Sequence, residues 1–545
     1  MLVRRLLSVI LAFTLALSLC ASAGAADGSF KSIALGGRHG AAITSDGALY
    51  TWGGSDYGQV GDGRRSDTLS PSESLSLSKV ASVSAGGGHT LALRTDGTLW
   101  AWGDNVYGQI GDGTREARLD PVLIMDSVAD ISAGESFSLA VKTDGTLWAW
   151  GANYYGQVGD GTRKDQLSPV KIMDGVTKAA GGGRHGLAVK TDGTLWSWGC
   201  NENGQLGDGL RVTRLEPQRV LSSVSDADAG GESSLAVKTD GTLWTWGDNS
   251  SGQLGDGTRT TRLEPVKIMD SVTAAASGGA TQSSYTTVQT DTDSASPPPA
   301  VYIPFSTTEG HGLALKSDGT LWSWGYNAYG QLGDGSRTTR LAPAQVLSDV
   351  RELAAGSGAS AAVKTDGTLL VWGHNVYGQV GDGTREDKLS PVKILENIGG
   401  GAVSPEARPA WQKIFVNGKE TPVEAYVIGG ANYLKARDVA AALMNTNKRF
   451  SATFDAKTMT VVLTTGREYT LNGGELTPGG GPPKSTQPST HGVSLDGRAV
   501  YPRGYAIDDA NYYMLRDFMK LLDVYAAYDA ATDSVIIDTS KGYAD

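Results

Sequence analysis

Cysteine is nearly absent from this 545-residue chain, which has only Cys20 and Cys200. A chain of this length buries a large core without covalent staples, so a disulfide scaffold is excluded. Histidine is scarce as well, at six, and with two cysteines it forms no His/Cys metal cluster. Basic charge is outnumbered: 47 Lys and Arg against 58 Asp and Glu leave a net charge of −11, which argues against nucleic acid or an anionic membrane as partner. Beyond Ala26 no apolar run is long enough to span a bilayer. What is plentiful is Gly, at 74 about twice the usual share, together with 13 Trp. So much Gly excludes a helical bundle and reads as tight turns between short elements, that is, an all-β protein. The length predicts more than one domain.

Residues 1–26, MLVRRLLSVILAFTLALSLCASAGAA, place Arg4 and Arg5 before an apolar run that ends in small residues, the anatomy of a secretory signal peptide. The expectation is a secreted, extracellular protein, cleaved after Ala23 or Ala26 and associated with the cell wall in one version of the reading. Leu19 is large for the position before a lipidated cysteine, which weighs against an anchor on Cys20. Once the signal is removed, Cys200 is the only thiol and no intrachain disulfide forms.

Self-similarity dominates the stretch 27–402. The segment TDGTLWAWGDNVYGQIGDGTREARLDPV recurs, with Asp-Gly pairs beginning at Asp46, Asp96, Asp144, Asp192, Asp240, Asp318 and Asp366. The step is nearly constant except between Asp240 and Asp318, so there are seven units and one insertion, at 280–309. Alternating segments such as SLAVK and TLWAWG separated by TDG, YGQ and GDG turns predict a four-stranded antiparallel blade per unit. The second Trp of each WxW pair occurs in all seven units, at Trp52, Trp102, Trp150, Trp198, Trp246, Trp324 and Trp372. Such a position is a structural one, where each blade buries a large group against the next. Because FKSIALGGRHGAAIT precedes the first Asp-Gly pair and the last unit stops after PVKIL, the N-terminal strands are expected to complete the last blade. The insertion is rich in Ser, Thr and Pro and reads as a disordered loop, either tolerated or contacting a partner.

The motif DGxxWxWGxNxxGQLGDG over residues 27–402 resembles the repeat of the regulator of chromosome condensation family. That resemblance implies a seven-bladed β-propeller. It also implies two activities known among relatives, guanine-nucleotide exchange and inhibition of a secreted β-lactamase. An exported chain would not meet a cytosolic GTPase, and the exchange activity is not carried over.

After a linker at 403–412 the composition changes. Residues 413–476 and 491–540 form a duplication: Gly418, Tyr426, Asn432, Tyr433, Arg437 and Asp438 recur at one constant offset as Gly497, Tyr505, Asn511, Tyr512, Arg516 and Asp517. Each copy predicts strands, a short helix and a closing hairpin through Asp455 or Asp529, a small α+β domain filling 413–545, with 477–490 as a flexible connection. The NGK, NYLKARDVA and YDAATDSVIIDT elements resemble the N-terminal or stalk domain of copper amine oxidases. The name does not imply copper here, since His491 is the only His of the module. The Arg437-Asp438 and Arg516-Asp517 pairs read as charges orienting a helix start.

For chemistry the units offer little. His39, His89, His185 and His311 occupy one repeat position, with Glu135 and Glu232 read as its substitutes, which predicts turn hydrogen bonding rather than catalysis. The GDG aspartates lack the carboxylate density of a calcium loop. Two rings are candidates for a binding face. Arg65, Arg115, Arg163, Arg211, Arg259, Arg337 and Arg385 follow each GDG aspartate by three residues and would attract anions unless paired with nearby acids. Tyr57, Tyr107, Tyr155, Tyr329 and Tyr377 precede the GQ turn, with Asn203 and Ser251 in the other two units, and suit protein or sugar recognition unless consumed by packing. The reading is therefore a non-enzymatic, cofactor-free, monomeric secreted protein. Its propeller recognises an extracellular protein or a cell-wall glycan, and its C-terminal module is a spacer or tether. The alternatives are an inhibitor of a secreted enzyme and a propeller hydrolase or lyase, the latter lacking off-phase acids and bases.

Overall fold

The computed structural model describes residues 30–74, 77–279 and 309–395, and, with short gaps, 407–542. The signal-peptide reading, Cys20, His491 and nearly all of the 280–309 insertion lie outside the described residues.

Each repeat is a four-stranded antiparallel sheet, and there are seven of them among the described residues. The second comprises Val80–Ala85, His89–Arg94, Leu99–Gly103 and Arg118–Met125. Local chemistry sets its turns. In the TDGT turn of the third sheet, Asp144 Oδ1 accepts from the backbone N–H of Thr146 at 2.9 Å and from its hydroxyl at 2.7 Å. That hydroxyl in turn accepts from Trp148 Nε1 at 2.9 Å, and Lys142 lies over the indole, so the first Trp of WxW seals the turn.

The second Trp joins sheet to sheet. Its indole N–H donates to the backbone carbonyl of the GQ glutamine in the preceding sheet, at 2.8–2.9 Å, in all seven cases: Trp102 to Gln59, Trp150 to Gln109, Trp198 to Gln157, Trp246 to Gln205, Trp324 to Gln253, Trp372 to Gln331 and Trp52 to Gln379. All seven indoles are fully buried. The last of these bonds links the first sheet to the seventh, so the sheets close into a ring. Phe30 and Trp52 share one apolar core with Val371 and Val380, which packs the same junction.

Closure does not use shared strands. The first sheet is built from Phe30–Leu35, His39–Thr44, Leu49–Gly53 and Thr68–Glu73, and the seventh from Val350–Ala355, Ala359–Lys364, Leu369–Gly373 and Lys388–Leu395. The expected splice is thus corrected. FKSIALGGRHGAAIT is the inner half of its own sheet and PVKIL is the outer strand of the seventh, because the repeat counted from Asp-Gly is offset from the sheet by two strands. Short-range bonds hold the seam instead: Ser357 N–H to Gly36 O, Arg351 to Phe30 O, and Arg385 to Asp67 at 2.7 Å.

The inner strands line a central channel of about 390 Å³. At one mouth, backbone bonds run from loop to loop, such as Gly37 N–H to Gly86 O at 3.0 Å and Gly87 N–H to Glu135 O at 3.1 Å. A Cβ on Gly36 would lie 2.4 Å from the carbonyl of Gly86, which is why glycine stands there.

The histidines also act between sheets. Nε2 of His39, His89, His185 and His311 meets the hydroxyl of Thr90, Ser138, Ser234 and Ser360 of the next sheet at 2.8–2.9 Å. Each hydroxyl spends its proton on a GQ carbonyl, so the imidazole N–H is the donor. The expected turn bond is corrected, and so are the substitutes. Strand register places Phe137, Ser233 and Ala359 at the histidine position, with Glu135 and Glu232 before it.

In the C-terminal module the two copies interlock. Lys413–Val416 of the first pairs in parallel with Ser534–Asp538 of the second, and Thr460–Thr465 of the first with Gly492–Leu495 of the second. A six-stranded sheet joins Ala431–Lys435 to Ala510–Met514, and the helices α1 (Ala436–Leu443) and α2 (Leu515–Leu521) contribute to one shared core. The closing hairpins form as expected, Phe450–Asp455 with Thr460–Thr465 and Tyr525–Asp529 with Ser534–Asp538. Two boundaries change. Arg408–Pro409, placed in the linker, is an edge strand, and within the expected flexible connection Lys484 bridges Ala407 while Gln487–Pro488 pairs with Gly504–Ile507. Asp438 is buried in the first turn of α1 and Arg437 beside it is exposed, so the acid alone faces the helix start.

Candidate binding face

Strand alternation sorts the loops. The loop between inner and second strands, which carries GxH, and the long loop between third and outer strands, which carries YGQ and GDGTR, emerge at the same end of every sheet; the TDG turns emerge at the other. The residues of both predicted rings therefore share one face.

Inside the long loop a buried asparagine is the hub. Asn105 Nδ2 donates to Asp112 and to the carbonyls of Thr114 and Glu116, while its Oδ1 accepts from Ile110 N–H at 2.9 Å. The GDG aspartate is equally committed: Asp112 takes the N–H and hydroxyl of Thr114 on one oxygen and Arg118 at 2.6 Å on the other. Burial opposes its ionisation, yet these bonds together hold the carboxyl below the usual range. Such a carboxylate is a turn element with its acceptor sites used.

All seven predicted arginines are exposed, and each donates a guanidinium N–H to the carbonyl nine residues earlier, at Asp56, Val106, Tyr154, Glu202, Ser250, Ala328 or Val376. Among the described residues, three of them also meet an acid of the following sheet: Arg115 with Asp165, Arg337 with Asp387 and Arg385 with Asp67. The ring is a loop brace first, with an outward cationic edge.

The five predicted tyrosines sit at the sheet junctions. Tyr57 is 40% exposed and the other four are half-buried. Arg38 stacks on Tyr377 at 4.6 Å and Arg184 on Tyr155 at 4.8 Å. Tyr329 donates to Glu309 at 3.3 Å. The backbone N–H of each ring position, Asn203 and Ser251 included, is capped by Oε1 of the GQ glutamine two residues on, at 2.8–3.1 Å. That fixes which end of the amide is left to donate. Nε2 of Gln109 reaches Asp104, that of Gln253 reaches Asp248, that of Gln379 reaches His374 Nδ1, and that of Gln205 reaches Glu232.

Sequence reasoning missed Arg38, Arg184, Glu232, Glu309, Tyr326 and His374, together with Tyr154, which is 70% exposed. Their common signal is departure from the repeat consensus on this face. Glu232 is buried beside Gln205, and desolvation pushes its carboxyl up to about 7 despite Arg184 nearby. Cys200, also buried, is a free thiol pushed up to about 12 by burial, which removes it from nucleophilic chemistry. Among the described residues no group of three or more His, Cys, Asp or Glu is placed to hold a metal, and no helix is long and apolar enough to cross a membrane.

A closed ring of four-stranded repeat sheets with one loop-rich face defines the class as an all-β repeat propeller. More specifically, residues 18–285 match the RCC1-like domain, and 318–363 and 366–404 match the regulator of chromosome condensation (RCC1) repeat, so this part of the chain is an RCC1-like propeller. Solved structures share the fold. Human WBSCR16 is 24% identical, covering 64% of this chain and 94% of its own with a TM-score of 0.53. Prp20p of Saccharomyces cerevisiae, studied for binding to Gsp1p and histones, is 22% identical, covering 67% and 89% with a TM-score of 0.55. The same yeast RCC1 (Prp20) in complex with Kap60 covers 67% and 86% with a TM-score of 0.54.

Proposed function

We propose that the chain is a secreted, cell-envelope binding protein, in which a seven-bladed RCC1-like propeller recognises an extracellular protein or glycan. The duplicated C-terminal module, similar to the copper amine oxidase N-terminal domain, serves as spacer or tether. An RCC1-like propeller suggests a protein-binding or regulatory role, and the solved relatives include one crystallised on a protein partner. The observation that carries the reading is the polar and aromatic chemistry gathered on the loop face, where residues that break the repeat stand among the in-phase tyrosines and exposed arginines. Cys200, the free thiol of this loop end, is buried and its thiol is pushed up by desolvation, which favours binding over nucleophilic catalysis by it.

The test is retention from culture supernatant on washed cell wall, comparing the full chain with a chain ending at Leu395. Retention of the full chain through the module, with a loop-face partner co-purifying, is the expected result. If the shortened chain alone carries all wall retention, the tether assignment fails; if the full chain stays inside the cell, the localisation fails.

A further inference from the structure

Three residues that break the repeat, Tyr326, His374 and Arg38, join two in-phase tyrosines, Tyr329 and Tyr377, in one continuous row across the sixth, seventh and first sheets. The ring of Tyr326 lies 6.0 Å from that of Tyr329, which lies 4.4 Å from the imidazole of His374, which lies 6.2 Å from Tyr377. Arg38 stacks on Tyr377 at 4.6 Å and bonds Asp56 at 3.1 Å. The four rings are half-exposed, and the row crosses two junctions, including the seam of the ring. At the fourth and fifth sheets the ring position holds Asn203 and Ser251, which carry no aromatic plane.

A second, independent observation lies beside it. In three sheets the GQ glutamine donates Nε2 to the side chain that follows the WG pair, as Gln109 does to Asp104, Gln253 to Asp248 and Gln379 to His374. In the sixth and first sheets that facing position is Tyr326 or Gly54, and Nε2 of Gln331 and of Gln59 is buried with no partner. Both amides have Oε1 pinned to the N–H of Tyr329 or Tyr57, so Nε2 is the end of each that is left to donate.

We infer that this row is a platform for an extended oligosaccharide. Sugar rings lay apolar C–H faces on aromatic planes, and their hydroxyls accept from buried amides and donate to carboxylates. Here the planes are Tyr326, Tyr329, His374 and Tyr377, the donors Gln331 and Gln59, and the acceptors Glu309 and Asp56. A row that spans three sheets fits a chain of several sugars rather than one. The inference rests on the reading that the loop face meets the envelope, and names its ligand class.

The full secreted chain is titrated with a β-1,4-linked hexamer of N-acetylglucosamine and with a β-1,4-linked glucose hexamer, by calorimetry. The expected result is saturable binding of at least one hexamer. Tyr329→Ala and Tyr377→Ala should each weaken it tenfold or more and Gln331→Leu about fivefold with Tm unchanged, whereas Tyr107→Ala, on the same ring but off the row, stays within twofold. Absence of saturable binding to both hexamers overturns the inference, as does equal loss in Tyr107→Ala. If the hexamers fail while Tyr329→Ala still releases the chain from washed wall, the ligand class is wrong and the binding-face reading stands. If neither hexamer binds and wall retention ignores Tyr329→Ala, both fall.

Discussion

The four buried histidines pair with Thr90, Ser138, Ser234 and Ser360, and wherever the histidine is replaced the register-equivalent position of the next sheet is glycine: Gly186 after Phe137, Gly312 after Ser233 and Gly40 after Ala359. A hydroxyl without the imidazole would lose its donor, and a Cβ at Gly186 would lie 2.5 Å from the Trp198 ring. The two positions therefore act as a unit. His185→Phe and Ser234→Gly should each cost about 1–3 kcal/mol, and the double variant should cost less than their sum by about 1 kcal/mol or more in urea unfolding. Additive losses would show that the pairing has no energetic content. The same burial makes the fold pH-sensitive. Desolvation lowers His39 and His311 to about 4 and His89 and His185 to about 3, so between pH 6.5 and 4 the unfolded chain takes up protons that the folded chain refuses. Stability from these groups is complete above pH 6.5 and lost on acidification. Asp130 and Asp228, raised to about 6, and Glu232, raised to about 7, act in the opposite sense, holding protons that the unfolded chain releases near pH 4. Three acids against four histidines offset the histidine effect in part between pH 4.5 and 6, leaving stability to fall on acidification. Glu232→Gln removes one opposing proton, so its stability should fall on acidification more steeply than that of the parent, by about 1.4 kcal/mol per pH unit between pH 5 and 6.5. Parallel stability profiles would assign Glu232 an ordinary acidity.

At the scale of the element, the GDG turn explains why the repeat is so legible. Its first Gly has positive φ and also carries the next sheet's indole. At Gly111 φ is +86°, and a Cβ would sit 2.7 Å from Trp150 Nε1; at Gly257, the second Gly of another such turn, φ is +79° with nothing within 4 Å. Gly257→Ala should cost about 1 kcal/mol from backbone strain, and Gly111→Ala about 1–3 kcal/mol more from the overlap. Thermal unfolding of the two proteins tests the difference, and equal shifts would mean that the Trp junction relaxes freely. Constraints of this kind recur at fixed offsets, so strands, turns and the Trp junction were readable from one chain. The phase of the sheets was not, because a constant period is silent about where the sheet begins, and the splice was misplaced by two strands. The candidate face was half legible for the same reason. Tyr57, Tyr107, Tyr155, Tyr329 and Tyr377 stand in phase, but the row through Tyr326, His374 and Arg38 depends on which positions meet across a junction. Sequence spacing alone does not give that contact.

For the whole molecule, the two parts solve the problem of chain ends differently. The ring closes edge to edge by side-chain and loop bonds at its seam, each sheet being made of one contiguous stretch. The C-terminal module does the reverse and trades strands between its copies, so that neither owns a complete sheet. The internal repeat at a constant offset predicted two units in tandem, and equivalence in sequence does not reveal which copy's strand lies beside which. The interlock has a consequence for truncation. A chain ending at residue 479 keeps the first copy intact in sequence but leaves Lys413–Val416 without Ser534–Asp538 and Thr460–Thr465 without Gly492–Leu495. It also strips Met519, Val524 and Val535 from the shared core around Val439 and Phe450. A half of about 70 residues that loses both parallel pairings and part of its core falls below the size at which a single core sustains itself. The expectation is that the entire module unfolds, removing one transition in scanning calorimetry, while the propeller transition keeps its midpoint within about 2 °C. A surviving transition of half the original enthalpy would mean that the first copy folds alone and that the exchanged strands are an association of two independent units.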